Sequence, residues 1–189
     1  MAKRTQIICI HEGKRNSVDA IFANAFIKEY KPDWIRPFTT GKARFEGCGG
    51  KSELLQKFPQ ELRNCIAAGS DTTLIVFADI DEKLDNGEEL KEKYWENAQK
   101  TGITREEFEK AVFIFSKDRI ENWIQYLSTG TTDENVEGPR VKNNSEAKNM
   151  AQLLARKCRQ LQQNKENFPP SLEWSCRNWK VLVEKMKMN

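Results

Sequence analysis

Three acidic side chains stand where the chain leaves its most apolar runs. Glu12 follows residues 5–10 (TQIICI), and Asp79 and Asp81 follow residues 72–78 (TTLIVFA). Residues two apart on extended backbone point to the same side, so Asp79 and Asp81 can face one pocket while Ile80 packs away from it. Carboxylates gathered there repel one another unless a cation holds them. Mg²⁺ or Mn²⁺ suits such a set, because Mg²⁺ takes oxygen ligands at about 2.0–2.1 Å and keeps waters and substrate phosphates in its shell. The chemistry such a site supports is attack on a phosphodiester. A plainer reading stays open, in which Asp79 and Asp81 cap a loop and the next helix. Lys14 and Arg15, at the start of the following helix, and Lys117 are candidates to neutralise phosphates. Ordinary surface charge is the alternative for them.

The elements that must position these residues alternate between strand and helix. Residues 5–10, 72–78 and 112–115 read as buried strands, and 34–37 as a short one. Helices are expected over 17–30, with Ser17 as N-cap, and over 51–68, bent or interrupted near Pro59. Further helices are expected over 87–100, 105–111, 120–127, 146–164 and 172–186. The order implies an α/β fold with a mostly parallel sheet flanked by helices. Parallel strands bring their C-terminal ends to one edge, where ligands collect. Three regions are expected: a body at 1–127, a linker at 128–145 rich in Gly and small polar residues, and a helical extension at 146–189.

The chain has 189 residues and a mass of 21.9 kDa, which suits one domain with a small appendage. Mean hydropathy is −0.74, and no apolar run approaches the roughly 20 residues of a membrane helix. The N-terminus lacks the apolar region of a signal peptide, so the expected address is the cytoplasm. His11 is the single histidine, which excludes a two-histidine mechanism and, with no C-x-x-C pair, a zinc cluster. The five cysteines are expected to be buried thiols rather than a disulfide framework. A nucleophilic pair of His11 with Cys9 or Cys48 is the sharper, less favoured reading. Residues 41–50 read as a Gly-rich loop. Gly47–Ser52 (GCGGKS) invites comparison with a phosphate-binding P-loop, but Phe45 stands where that motif needs Gly, and no strong apolar strand immediately precedes it. Residues 139–189 hold 11 Lys or Arg against 4 Asp or Glu, a surplus of seven positive charges that suits a polyanion or an acidic partner.

The segments IICIHEGKRN and LIVFADIDEK resemble the two motifs of the Toprim superfamily, a strand ending in Glu-Gly and a strand ending in D-x-D. The resemblance covers about residues 5–127. It implies a Mg²⁺-dependent nuclease acting on DNA or RNA, with Glu12 in acid/base or metal work and Asp79 and Asp81 as metal ligands. FSKDRIENWIQYL resembles the E-x-W segment of small stand-alone Toprim-like proteins, which adds Glu121 as a further ligand. His11 stands where the family has an apolar residue and reads as a satisfied polar group at a strand end. Small proteins of this kind resemble effector subunits of phage-defence systems, often paired with an ATPase. The alternative is a non-catalytic Toprim-like module docking onto a larger partner.

Overall fold

β1 (Gln6–His11), β3 (Thr72–Ile80) and β4 (Val112–Lys117) form from the apolar runs, as their β-branched content favours. β2 (Ala43–Gly47) completes a sheet ordered β2-β1-β3-β4, with every pairing parallel. The structure, a computed structural model, describes residues 6–30, 43–69, 72–81, 83–141, 143–160 and 167–187. α1 (Val18–Tyr30) leads from β1 towards β2, and α2 (Lys51–Ala67) from β2 to β3. α3 (Gly87–Lys100) and α4 (Arg105–Phe108) lead from β3 to β4, and α5 (Ile120–Thr129), α6 (Asn144–Gln160) and α7 (Pro170–Lys187) follow. The fold is thus α/β, a parallel sheet between helices with a C-terminal helix. No helix among the described residues is long and apolar enough to cross a membrane.

Alternation along each strand splits the core in two. Ile7, Cys9, Ile75, Phe77 and Ile114 face α1, α5, α6 and α7, where they meet Phe22, Phe26 and Trp123. Ile8, Ile10, Leu74, Val76 and Phe113 face α2, α3 and α4, where they meet Leu54, Phe58 and Tyr94. The Phe58 ring lies 5.2–5.7 Å from the rings of Tyr94, Phe108 and Phe113. Truncating such a side chain costs about 3–5 kcal/mol.

Three expectations change here. The Gly-rich loop at 41–50 contains β2, in register with β1 from Ile7↔Ala43 to His11↔Gly47. Among the described residues β2 pairs on one side only, and Arg44 and Glu46 lie in register with Ile8 and Ile10 on the α2 face, where Arg44 pairs with Glu61 of α2. That charge hid the strand. The strand expected at 34–37 lies outside the described residues. Second, α2 runs unbroken through Pro59. Proline removes the N–H that would bond the carbonyl four residues back, and here Asn97 Nδ2 donates to that carbonyl, Leu55 O, at 2.7 Å.

Third, Cys158 and Cys176 form a disulfide between α6 and α7, with Cα atoms 6.0 Å apart. Sequence spacing could not show it, because the pairing depends on how the two helices lie together. Ala147, Ala151, Leu154 and Cys158 of α6 pack into the same core as Phe22 and Phe26 of α1. The apolar stripe of that helix is therefore buried within the chain rather than against another one. α7 straddles the β4 edge: Leu172, Cys176 and Trp179 join one core, while the Trp174 ring stacks on Phe115 in the other, 5.3 Å between centroids.

Candidate functional site

The loop after β1 runs to α1 on one face of the sheet, and the loop after β3 runs to α3 on the other. β1 and β3 are neighbours, so their C-terminal ends form a topological switch point, the crevice where open α/β sheets bind ligands. Glu12 and Asp79 stand at its two sides.

Glu12 continues the β1–β3 ladder, its N–H donating to the Phe77 carbonyl at 3.2 Å. Its carboxylate Oε2 accepts from the Asp79 N–H at 3.1 Å across the crevice. Two glycines make room for this turn. A methyl on Gly13 would stand 2.6 Å from Asp19 Oδ2, and one on Gly47 would collide with the Gly13 carbonyl and stand 3.0 Å from the Arg15 nitrogen. Only a bare Cα lets the Glu12 loop lie down on β2 and close onto α1. The turn then feeds the Ser17 cap, whose Oγ accepts from Ala20 N at 3.3 Å.

Asp79 is the penultimate residue of β3, in register with Ser116 of β4, whose hydroxyl donates to Asp79 Oδ1. Burial pushes the Asp79 carboxyl well above its ordinary range. The charges of Asp19 and Glu12 push the same way, against the Ser116 hydrogen bond and the Lys51 ammonium. Glu12 is raised by burial, then by Asp19 and Asp81, against the Asp79 N–H and Lys51. Asp81 lies beyond the strand with its side chain 48% exposed and pairs with Lys51 Nζ. Asp79 and Asp81 therefore belong to one site but differ in burial. Glu121, in the first turn of α5, is tied to the group through Asp19, whose charge raises it after burial does.

The basic residues divide. Lys14 and Arg15 are exposed on the loop after Glu12. Lys117 turns to the other face, where Nζ donates to the Leu84 carbonyl. Lys51, the first residue of α2, sits where its charge acts on Glu12, Asp79 and Asp81 together. Lys51, Asp19 and Ser116 are the site residues that sequence reasoning missed. Lys51 lies in the Gly47–Ser52 stretch, just after β2, a strand too charged to read as the apolar strand of a P-loop. Asp19 was legible only as a first-turn acid. Ser116 needed the β3–β4 register.

His11 is buried at 1% exposure at the end of β1, beside the Gly13 backbone. Burial holds it towards the neutral form, against its contact with the Gly13 backbone. Burial also pushes the Cys48 thiol up to about 11 and Cys9 higher still, which leaves both as poor nucleophiles.

The donor set fits a hard divalent cation. It is all oxygen, crowded with like charge and open on the Asp81 side. No three acid, His or Cys side chains among the described residues stand together as a ready-made metal site. A cation there would have to draw the carboxylates closer together and fill its remaining positions with waters and substrate oxygens, as Mg²⁺ does. Compared with models of protein families, with curated proteins and with solved structures, the chain matches none.

Proposed function

We propose that the chain is a Mg²⁺- or Mn²⁺-dependent nuclease that cleaves phosphodiester bonds of DNA or RNA. The observation that supports this most is the meeting of Glu12 and Asp79 across the switch point, with Asp81 beside them. The resemblance of both strand ends to the Toprim motifs points the same way. The bound cation would polarise the scissile phosphate and activate water. Glu12, which burial and then the neighbouring acids raise above its ordinary range, is the candidate to accept the proton. Asp79 and Asp81 would hold the cation, with Glu121 behind Asp19 as an outer acid. Lys14 and Arg15 lie exposed on the loop carrying Glu12, placed to meet the nucleic-acid backbone. The resemblance alone further suggests an effector of phage defence, working with a protein partner such as an ATPase.

A second reading, a non-catalytic module docking onto a larger partner, draws on a specific observation. Each of the three acids already has a protein partner: Asp79 N–H for Glu12, Ser116 for Asp79 and Lys51 for Asp81. Incubating the purified chain with supercoiled DNA and with structured RNA, with Mg²⁺ or Mn²⁺ and with EDTA, separates the two. Cleavage that EDTA stops supports the nuclease. Metal binding without cleavage of either substrate favours the module.

A further inference from the structure

Lys51 begins α2 directly after Gly49, whose φ is 76°, and Gly50. That turn carries the chain from the end of β2 onto the helix, so the Lys51 backbone is set by the sheet edge while its side chain reaches across to β3. Its Nζ pairs with Asp81 Oδ1, and the same charge acts on Glu12 and Asp79. Arg119 serves the far side of the acids, acting on Asp19 and Glu121 and pairing with Glu137. Lys117 Nζ is taken up by the Leu84 carbonyl. The side chains of Lys51 and Asp81 are 42% and 48% exposed, so their pair is weakly held and easily exchanged.

We propose that Lys51 is the exchangeable counter-ion of the acidic site: its ammonium balances Asp81, Glu12 and Asp79 until a divalent cation enters and displaces it. The inference rests on the metal-site reading above. It gives the charges of Glu12, Asp79 and Asp81 a common balancing partner without a bound metal. It also gives this lysine a role distinct from phosphate binding: it competes with the metal and sets the metal concentration at which the site fills. No covalent step is involved, and one cation replaces another.

Mn²⁺ binding, followed by the loss of the free-ion electron paramagnetic resonance signal, tests it without reference to cleavage. The full chain is compared with Lys51→Met, Lys51→Arg and Asp81→Asn. Removing the competing charge should tighten Mn²⁺ binding roughly tenfold in Lys51→Met, with the gain shrinking as salt rises. Lys51→Arg keeps the charge and should stay within about twofold of the parent. Asp81→Asn should weaken binding. Without metal, Lys51→Met should melt below the parent, and Mn²⁺ should raise its melting temperature by more than it raises the parent's. A parent that binds Mn²⁺ with Lys51→Met no tighter overturns the counter-ion role and leaves the metal site standing. If neither binds at millimolar Mn²⁺, the metal-site reading fails and takes this inference with it. Lys51→Gln provides the same comparison where Lys51→Met does not fold.

Discussion

Polar groups enter the interior at two places along β4, and the fold treats them in opposite ways. Where α7 crosses the strand, two serine hydroxyls supply partners. Ser175 Oγ accepts from Phe115 N at 2.9 Å and donates to the Phe115 carbonyl at 2.9 Å. Ser171 Oγ accepts from Lys117 N at 3.1 Å and Trp123 Nε1 at 2.8 Å, and donates to Glu134. Two hydroxyls thus stand in for the next strand. At the C-terminal end of the same strand the order reverses. Asp118 takes a left-handed φ of 61°, and its buried Oδ2 has no hydrogen bond, with Arg119 Nε 3.8 Å away. Asp79 is buried among like charges. The first arrangement serves only the fold. The second is strained and frustrated, which is the pattern of a site kept for binding or chemistry.

The largest expected effect tests the strained end. Asp79→Asn and Glu12→Gln should each lower metal-dependent cleavage at least about a hundredfold. Removing like charge should leave metal-free stability unchanged or higher. Cleavage at the parent rate by both variants would put the two regions on the same structural footing.

Next comes the tie behind the sealed region. A loop of about this length closed by a disulfide contributes about 3 kcal/mol, and Cys158 and Cys176 lie 18 residues apart. Reductant, or Cys158→Ala with Cys176→Ala, should lower the denaturation midpoint without changing Mn²⁺ affinity. An unchanged midpoint would mean that helix packing alone holds the wall. The serines follow. Ser175→Ala and Ser171→Ala each leave strand groups unpaired, at about 1–3 kcal/mol. Urea unfolding should show that loss while Mn²⁺ affinity stays at the parent value. A shift in affinity would show that the two regions are coupled.

The smallest effect is a pH slope. Asp79 and Glu12 are raised above their ordinary 3.8 and 4.5, so the folded state holds their protons more tightly than the unfolded chain does. Their contribution to stability is therefore full below the ordinary values and is lost as pH rises through the raised ones. His11 is lowered from 6.5, so it acts in the opposite sense, losing stability as pH falls below that value. Thermal melts without metal across pH 4–8 isolate the carboxylate part as the difference between parent and Asp79→Asn. The two curves should converge at low pH and separate as pH rises, with the parent lower. Parallel curves would mean that Asp79 is ionised at no cost.

Much of this was legible in the sequence where a local pattern carries the information. The apolar runs marked β1, β3 and β4, and the 3.6-residue stripes marked the long helices. Glu12 and Asp79 were legible because a strand end is itself a position in the fold. β2 was not, since an edge strand of alternating charge looks like a loop. Lys51, Asp19 and Ser116 were not, because each reaches the site through a register or a turn that no single segment specifies. The Cys158–Cys176 tie failed for the same reason, as did the difference in burial between Asp79 and half-exposed Asp81.

The two serines that close β4 lie 54 and 60 residues further along the chain than the groups they serve. During synthesis at about 5–20 residues per second, β4 therefore emerges roughly 3–12 s before its cover does. For that interval it presents an apolar strand with unpaired backbone groups, the surface through which unfinished chains join one another. Ribosomes stalled between residues 120 and 170 would release the most aggregation-prone form of this protein.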